Sequence, residues 1–279
     1  MKKIYLDNAA TTIIIPEVKK AMMPFFSNIF ANESSSHSMG RDANKYVENA
    51  RNIIAKTINS NTNEIYFTSC GSESNSWAIL GIASANNSKG NHIITTKIEH
   101  DSIINSCNYL ENKGYKNDYV SVDNKGNINI DELESLINEK TILISTMMVN
   151  NEVGTIQNIK KIGEIAHKHN IVFHTDAVQG FGMLNIDVKA LNIDLMSVSA
   201  HKIYGPKGMG FLYIKNGIKI DNLIFGGNQE FGKRGGTANT PAIVGFGKAT
   251  EIAYKNLEAN YNRILNLREY FVNELKNNF

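Results

Sequence analysis

What most constrains the fold of this 279-residue chain is a repeated succession: a short apolar run, a turn of small or polar residues, then a helical pattern. Ile65-Tyr-Phe-Thr68, His92-Ile-Ile-Thr-Thr96, Tyr119 to Val122, Thr141 to Val149, Ile171 to Asp176 and Asp194 to Val198 read as strands, and Gly208 to Ile214 as a return strand. Apolar runs this short, bounded by turn residues, are what buried strands require. Helical patterns separate them, as in the segment of Trp77, Ile79 and Leu80, around Asp131 to Ile137, and from Lys160 to His169. Strands alternating with helices predict an α/β fold around a doubly wound, mostly parallel sheet. In such sheets ligands bind beyond the C-terminal ends of the strands. The chemistry is therefore to be sought where each apolar run stops.

Several classes of partner fall away on composition. The length suits one large α/β domain or two modest ones. A net charge of +2, without a basic block or an aromatic-interleaved patch, argues against nucleic acid. Cys70 and Cys107 are the only cysteines; they form neither a disulfide framework nor a metal-ligand spacing, which fits a reducing compartment. The chain runs directly into Ile4-Tyr-Leu-Asp7 with no apolar leader, and no apolar stretch is long enough to cross a bilayer. A cytoplasmic protein with no membrane partner is expected.

At the strand ends, four features stand out. Asp194 to Val198 gives way to Ser199-Ala-His-Lys202 and then a loop with three glycines and a proline, Gly205-Pro-Lys-Gly-Met-Gly210. A lysine there is placed for partial desolvation, which frees its amine as a nucleophile or Schiff-base partner; a solvated loop lysine is the plainer alternative. After Thr68, Ser69-Cys-Gly-Ser-Glu-Ser-Asn75 leads into a helix. Backbone N–H groups near Gly71 and the positive end of the helix dipole make an anion site, with Ser72 as a further donor; an ordinary helix start, capped by Ser72, fits equally well. Glu99-His100-Asp101 follows the strand at His92, where a histidine is commonly a helix cap. His174 and Asp176 share one side of a strand. A metal site with His167 or His169 is not expected, since those two lie on different helix faces. The glycine-rich run Leu223 to Thr237 offers Arg234 and Thr237 to an anion.

Taken together these segments resemble a known family. His201-Lys-Ile-Tyr-Gly-Pro-Lys-Gly208 closely resembles the lysine signature of the class V aminotransferase group of fold-type I pyridoxal 5'-phosphate (PLP) enzymes, and in particular the NifS/IscS-like cysteine desulfurases. Tyr5 to Thr12, the loop Asn32 to Gly40, Ser69 to Asn75, Ile98-Glu-His100 and His174-Thr-Asp-Ala-Val-Gln179 are similar to further landmarks of that family. Departures are Glu33 where proline is usual, Cys70 and Asn228 where glycine is usual, and Ser72 for threonine.

The resemblance implies a fold-type I PLP-dependent transferase fold. Residues 1–15 would form an arm and 16–240 the PLP-binding large domain with a mostly parallel mixed sheet. Residues 241–279 would be a long helix leading into a C-terminal small domain largely missing here. It implies PLP on Lys202, with Asp176 at the pyridine nitrogen and His100 stacked on the ring and able to shuttle protons. Asn151 and Gln179 would contact the phenolic oxygen. Gly71, Ser72, Ser199 and His201 would complete the cofactor set, and Thr237 would reach the phosphate of a neighbouring subunit in a homodimer. The implied reaction converts L-cysteine to L-alanine, Lys202 moving the α-proton. Sulfur passes to an enzyme cysteine and then to an acceptor such as an iron–sulfur scaffold or a tRNA thiolation enzyme. Family members continue for about another hundred residues, a domain-sized piece. That piece carries the nucleophilic cysteine loop and the arginine that binds the substrate carboxylate; neither Cys70 nor Cys107 matches that loop. Another PLP-dependent lyase or aminotransferase, or an inactive PLP-binding product, is the alternative.

Overall fold

The computed structural model describes residues 3–278. Met1 and Lys2 of the expected arm, and Phe279 of the expected C-terminal segment, lie outside them. The order of elements is α1 (Pro16–Met22), α2 (Ser38–Thr57), β1 (Ile65–Thr68), α3 (Gly71–Ala85), β2 (His92–Thr96), α4 (Asp101–Glu111), β3 (Lys116–Val120), α5 (Ile130–Ser135), β4 (Thr141–Ser145), α6 (Ile159–Lys168), β5 (Val172–Asp176), β6 (Leu195–Ser199), β7 (Gly210–Ile214), α7 (Thr240–Lys255) and α8 (Leu257–Asn278).

Seven strands form one sheet in the order β1-β7-β6-β5-β4-β2-β3. β3, β2, β4, β5 and β6 run parallel, and β7 returns antiparallel between β6 and β1. Side chains alternate along each strand and so feed two apolar layers. Phe67, Ile94, Ile144, Phe173, Met196, Val198 and Phe211 pack with the residues of α2, α6 and α7. Tyr66, Ile93, Leu143, Leu195 and Leu212 pack with Trp77, Ile82, Ile103 and Cys107 of α3 and α4 on the other side. Covering both faces leaves β4 and β6 wholly apolar or small, and β5 so except for His174 and Asp176.

Two expected strand boundaries shift. The run expected at Tyr119 to Val122 is a strand from Lys116 to Val120. As an edge strand bonded only to β2 it is half exposed, so its polar first half carries no apolar signal. Thr141 to Val149 is not one long strand: β4 stops at Ser145. The run nevertheless stays beside β5, because the amides of Thr146 and Met148 donate to the carbonyls of His174 and Asp176 before the chain turns at Asn150.

The parallel strands point their C-terminal ends at one edge of the sheet. The stretch before α1 crosses that edge: Thr12 donates to the carbonyl of His201 from its amide (3.0 Å) and its hydroxyl (2.7 Å). α7 begins with Asn239 as cap and Pro241 in the first turn, and it lies close against α2. A Cβ on Gly247 would come within 2.7 Å of Ala50 Cβ. α8 has no buried residue, and Tyr261, Tyr270 and Phe271 on it are exposed. No helix is long and apolar enough to cross a membrane among the described residues.

Candidate active site

A cavity of about 410 Å³ opens at the C-terminal edge of the sheet. One wall is the start of α3. The helix begins at Gly71 with extended Cys70 as its cap residue, and no side chain caps it. The alternative of an ordinary helix start capped by Ser72 is therefore not met; Ser72 lies inside the first turn and lines the cavity. By helix geometry the first-turn amides have no intrahelical acceptor and are free for an anion. Gly71 is needed at this point, since a Cβ there would sit 2.8 Å from Val178 Cγ2. Glu73 turns away: it accepts from the amide of Ser69 at 2.8 Å and pairs with Arg234 at 2.7 Å.

Asp176 ends β5 and is 5% exposed. One carboxylate oxygen accepts from Asn75 Nδ2 at 2.7 Å and the other from the amide of Val178 at 2.9 Å. Burial raises its affinity for a proton, while those hydrogen bonds and the positive charges near His100 and Lys202 act against the rise. His174, two residues earlier, does not reach the cavity. Its ring nitrogens bond Ser145 Oγ (2.8 Å) and Ser197 Oγ (2.9 Å), and burial pulls its pKa down to about 3, so it stays neutral. His167 pairs instead with Asp194 and His169 with Glu134.

Lys202 stands at the end of a short 3₁₀ turn, Ala200–Lys202, that follows β6. Burial depresses its pKa, with Asp176 and Asp7 opposing. Its amine donates to the carbonyl of Ala10 at 2.9 Å and to that of Ala9. Gln179 Nε2 donates to the same Ala9 carbonyl at 3.0 Å. His201 Nδ1 meets Thr11 Oγ1 at 3.0 Å, and burial, then the charges of Lys202 and Lys207, lower its pKa. Ser199 lines the cavity too, and its buried hydroxyl has no hydrogen-bond partner. His100 does cap α4: its Nδ1 accepts from the amide of Ser102 at 3.1 Å. Accepting at Nδ1 places the ring proton on Nε2. Asn151 lines the same cavity and donates to Glu152 at 2.7 Å.

Thr237 is the one expected site residue that is not brought there. It lines a separate cavity of about 140 Å³ beside Ser69 and Gln229. Arg234 is likewise not a free anion ligand, because Glu73 holds its guanidinium through two contacts. Glu230 anchors this glycine-rich loop by pairing with buried Arg51 at 2.7 Å and accepting from the amide of Phe67. Of the two cysteines, Cys70 lines the main cavity at its α3 end. Cys107 is buried in α4, and burial, then the charges of Glu99 and Glu111, push its thiol up to about 12.

The profile of the family described as aminotransferase class-V matches residues 4–278. The chain belongs to that family. Within it the chain sits among the cysteine desulfurases: it is 53% identical over 267 residues to the cysteine desulfurase IscS of Clostridium botulinum, covering 96% of this chain and 67% of that protein. It is 50% identical to the IscS of Methanosarcina thermophila, covering 98% and 68%. A solved NifS-like protein superposes with a TM-score of 0.97 at 41% identity, over 99% of this chain and 76% of the other. A structure titled SspA in complex with cysteine superposes at 0.87 with 44% identity, over 89% and 72%.

Sequence reasoning missed three contributors to the desulfurase-family cavity. Asn75 bonds Asp176 and also Ser102 Oγ, and so ties α3 to the strand end across the sheet. Its place in the first turns of α3, one side of the anion site, was the available signal. The carbonyls of Ala9 and Ala10 act through backbone and leave no residue-type signature. Glu99, behind the lining, is a buried carboxyl whose burial follows only from the packed structure.

Proposed function

We propose that the chain binds pyridoxal 5'-phosphate in this cavity and serves as a cysteine desulfurase, with residues 16–240 as the cofactor-binding domain. The observation that carries the reading is one cavity lined by a partly desolvated lysine, a buried carboxylate, a free helix start and the unpartnered hydroxyl of Ser199. That donor set fits the cofactor. A phosphate would take the amides near Gly71 with the hydroxyls of Ser72 and Ser199 and the imidazole of His201, and Asp176 lies deep enough to face a ring nitrogen. When bound, the cofactor supplies an electron sink for the pair released at the α-carbon of an amino acid.

The chain's own residues then divide the work. Asp176, enclosed and already holding two donors, would hold a proton at the ring nitrogen. Lys202, its pKa depressed by burial, would hold the cofactor through its amine and serve as the base toward the α-proton. His100, with its proton on Nε2, would cover the ring and pass protons. Asn151 and Gln179 would hold the ring's phenolic oxygen. The substrate is L-cysteine and the product L-alanine, with sulfur going to a thiolate and then to an acceptor such as an iron–sulfur scaffold or a tRNA thiolation enzyme in the cytoplasm. Neither Cys107, buried and strongly protonated, nor Cys70, at the anion end, suits the role of that thiolate.

The test is reconstitution with PLP, borohydride reduction and peptide mapping. The cofactor is expected on the peptide containing Lys202, and labelling of another lysine overturns the assignment. In parallel, alanine and sulfide from L-cysteine are compared with amino transfer to a keto acid. The 279-residue chain is expected to release sulfide slowly and independently of its cysteines. Fast turnover abolished by Cys70→Ser or Cys107→Ser would show the thiolate to be misassigned.

A further inference from the structure

Glu99 lies between the end of β2 and His100, and the reading above gives it no role. The residue is 7% exposed. Its Oε1 accepts from Thr96 Oγ1 at 2.7 Å and from the amide of Met147 at 3.0 Å, while Oε2 is buried without a partner. An ionised carboxylate with one oxygen left dry is costly. Burial accordingly pushes its pKa up to about 8; the two hydrogen bonds oppose the rise and the negative charge of Asp176 on β5 adds to it. Cys107 on α4 also faces it, and His100 is its neighbour in the chain. At neutral pH Glu99 is therefore an acid that keeps its proton.

The hydrogen bond to Met147 joins two loops. Residues 97–100 leave β2 and residues 146–151 leave β4. A second tie runs alongside: Asn150 Nδ2 donates to the carbonyl of Ile98 at 3.0 Å, and Asn150 Oδ1 accepts from the amides of Glu152 and Val153. One loop carries His100 and the other carries Asn151, both cavity residues. We propose that Glu99 is a positioning residue of this cavity: through its buried Oε1 it fastens the loop after β2 to the loop after β4, and so fixes His100 and Asn151 relative to Asp176. The proposal rests on the cofactor reading of the cavity. Neutrality matters because an ionised Glu99 adds a second negative charge beside Asp176. As pH rises through the point where Glu99 ionises, both hydrogen bonds remain, now to a carboxylate, while the added negative charge beside the cavity lowers affinity for an anionic cofactor.

Three proteins separate the outcomes: wild type, Glu99→Gln and Glu99→Ala. The first readout is hydrogen exchange at the Met147 amide in cofactor-free protein. The second is PLP affinity at pH 7 and pH 9. Glutamine keeps the acceptor oxygen and cannot ionise. The Gln variant is expected to match wild type in exchange and in affinity at pH 7, and to lack the wild-type loss of affinity at pH 9. The Ala variant is expected to speed Met147 exchange and weaken PLP binding by about tenfold each, the loss of roughly one buried hydrogen bond. Unchanged Met147 exchange in the Ala variant overturns the proposal. So does a Gln variant as impaired as the Ala variant, which would mean that the charge itself is used. Wild-type protein that binds no PLP would refute the cofactor reading, and the exchange data would then decide the fastening separately.

Discussion

Lys202 meets the cavity with its amine shared between two backbone carbonyls and its pKa held below the usual lysine range by burial. A base that must give up and take back a proton near neutrality benefits from that depression. We expect Lys202→Arg, which keeps the positive charge but cannot act as a base, to slow exchange of the α-proton of an amino acid in D₂O by about 10²- to 10⁴-fold, read by NMR, while the far-UV spectrum stays unchanged. An unaltered exchange rate would assign the proton to another group. Lys202, Asp176 and His100 were legible as residues of one cavity because each lies at, or a few residues beyond, the end of a strand. Asn75 and Glu99 were not. Asn75 works through a contact to a residue 101 positions away, and Glu99 becomes an unusual acid only when the loop around Met147 closes over it.

At the scale of elements, the seam between α2 and α7 is the place where fold and sequence agree least forgivingly. Ala50 and Gly247 are both buried there, and the space for one more carbon is already filled. Gly247→Val should cost about 1–3 kcal/mol through overpacking, more than any gain in helix propensity returns. The urea midpoint should fall accordingly, whereas unchanged stability would mean that the two helices separate freely. The central strands were legible because burial on both faces leaves them mostly apolar or small. β3 was displaced because an edge strand needs no such pattern, and β4 was overextended because its apolar run continues into a loop that still hugs β5. The α3 end of the cavity was legible as strand, turn and helix start, and the alternative of Ser72 as cap gives way because Cys70 occupies that position with extended backbone.

Across the whole molecule, Thr237 stands outside the cavity in its own recess, on a loop anchored by Glu230 to Arg51. We expect that loop to serve a second copy of the chain, so that PLP affinity rises with protein concentration in step with dimer formation by light scattering. Thr237→Ala should weaken the cofactor by about tenfold, the loss of one charge-assisted hydrogen bond. Tight binding by a monomer would exclude the arrangement. The stretch from Ala9 to Thr12 raises a different matter, one of timing. Thr12 bonds a carbonyl 189 positions further on, so at about 5–20 residues per second of synthesis this stretch waits roughly 10 to 40 s for its partner to emerge. During that interval β1 to β6 emerge in turn, and the segment that will cross their edge has nothing to hold. The roof of the cavity is thus made well before, and seated only after, the sheet edge that it crosses.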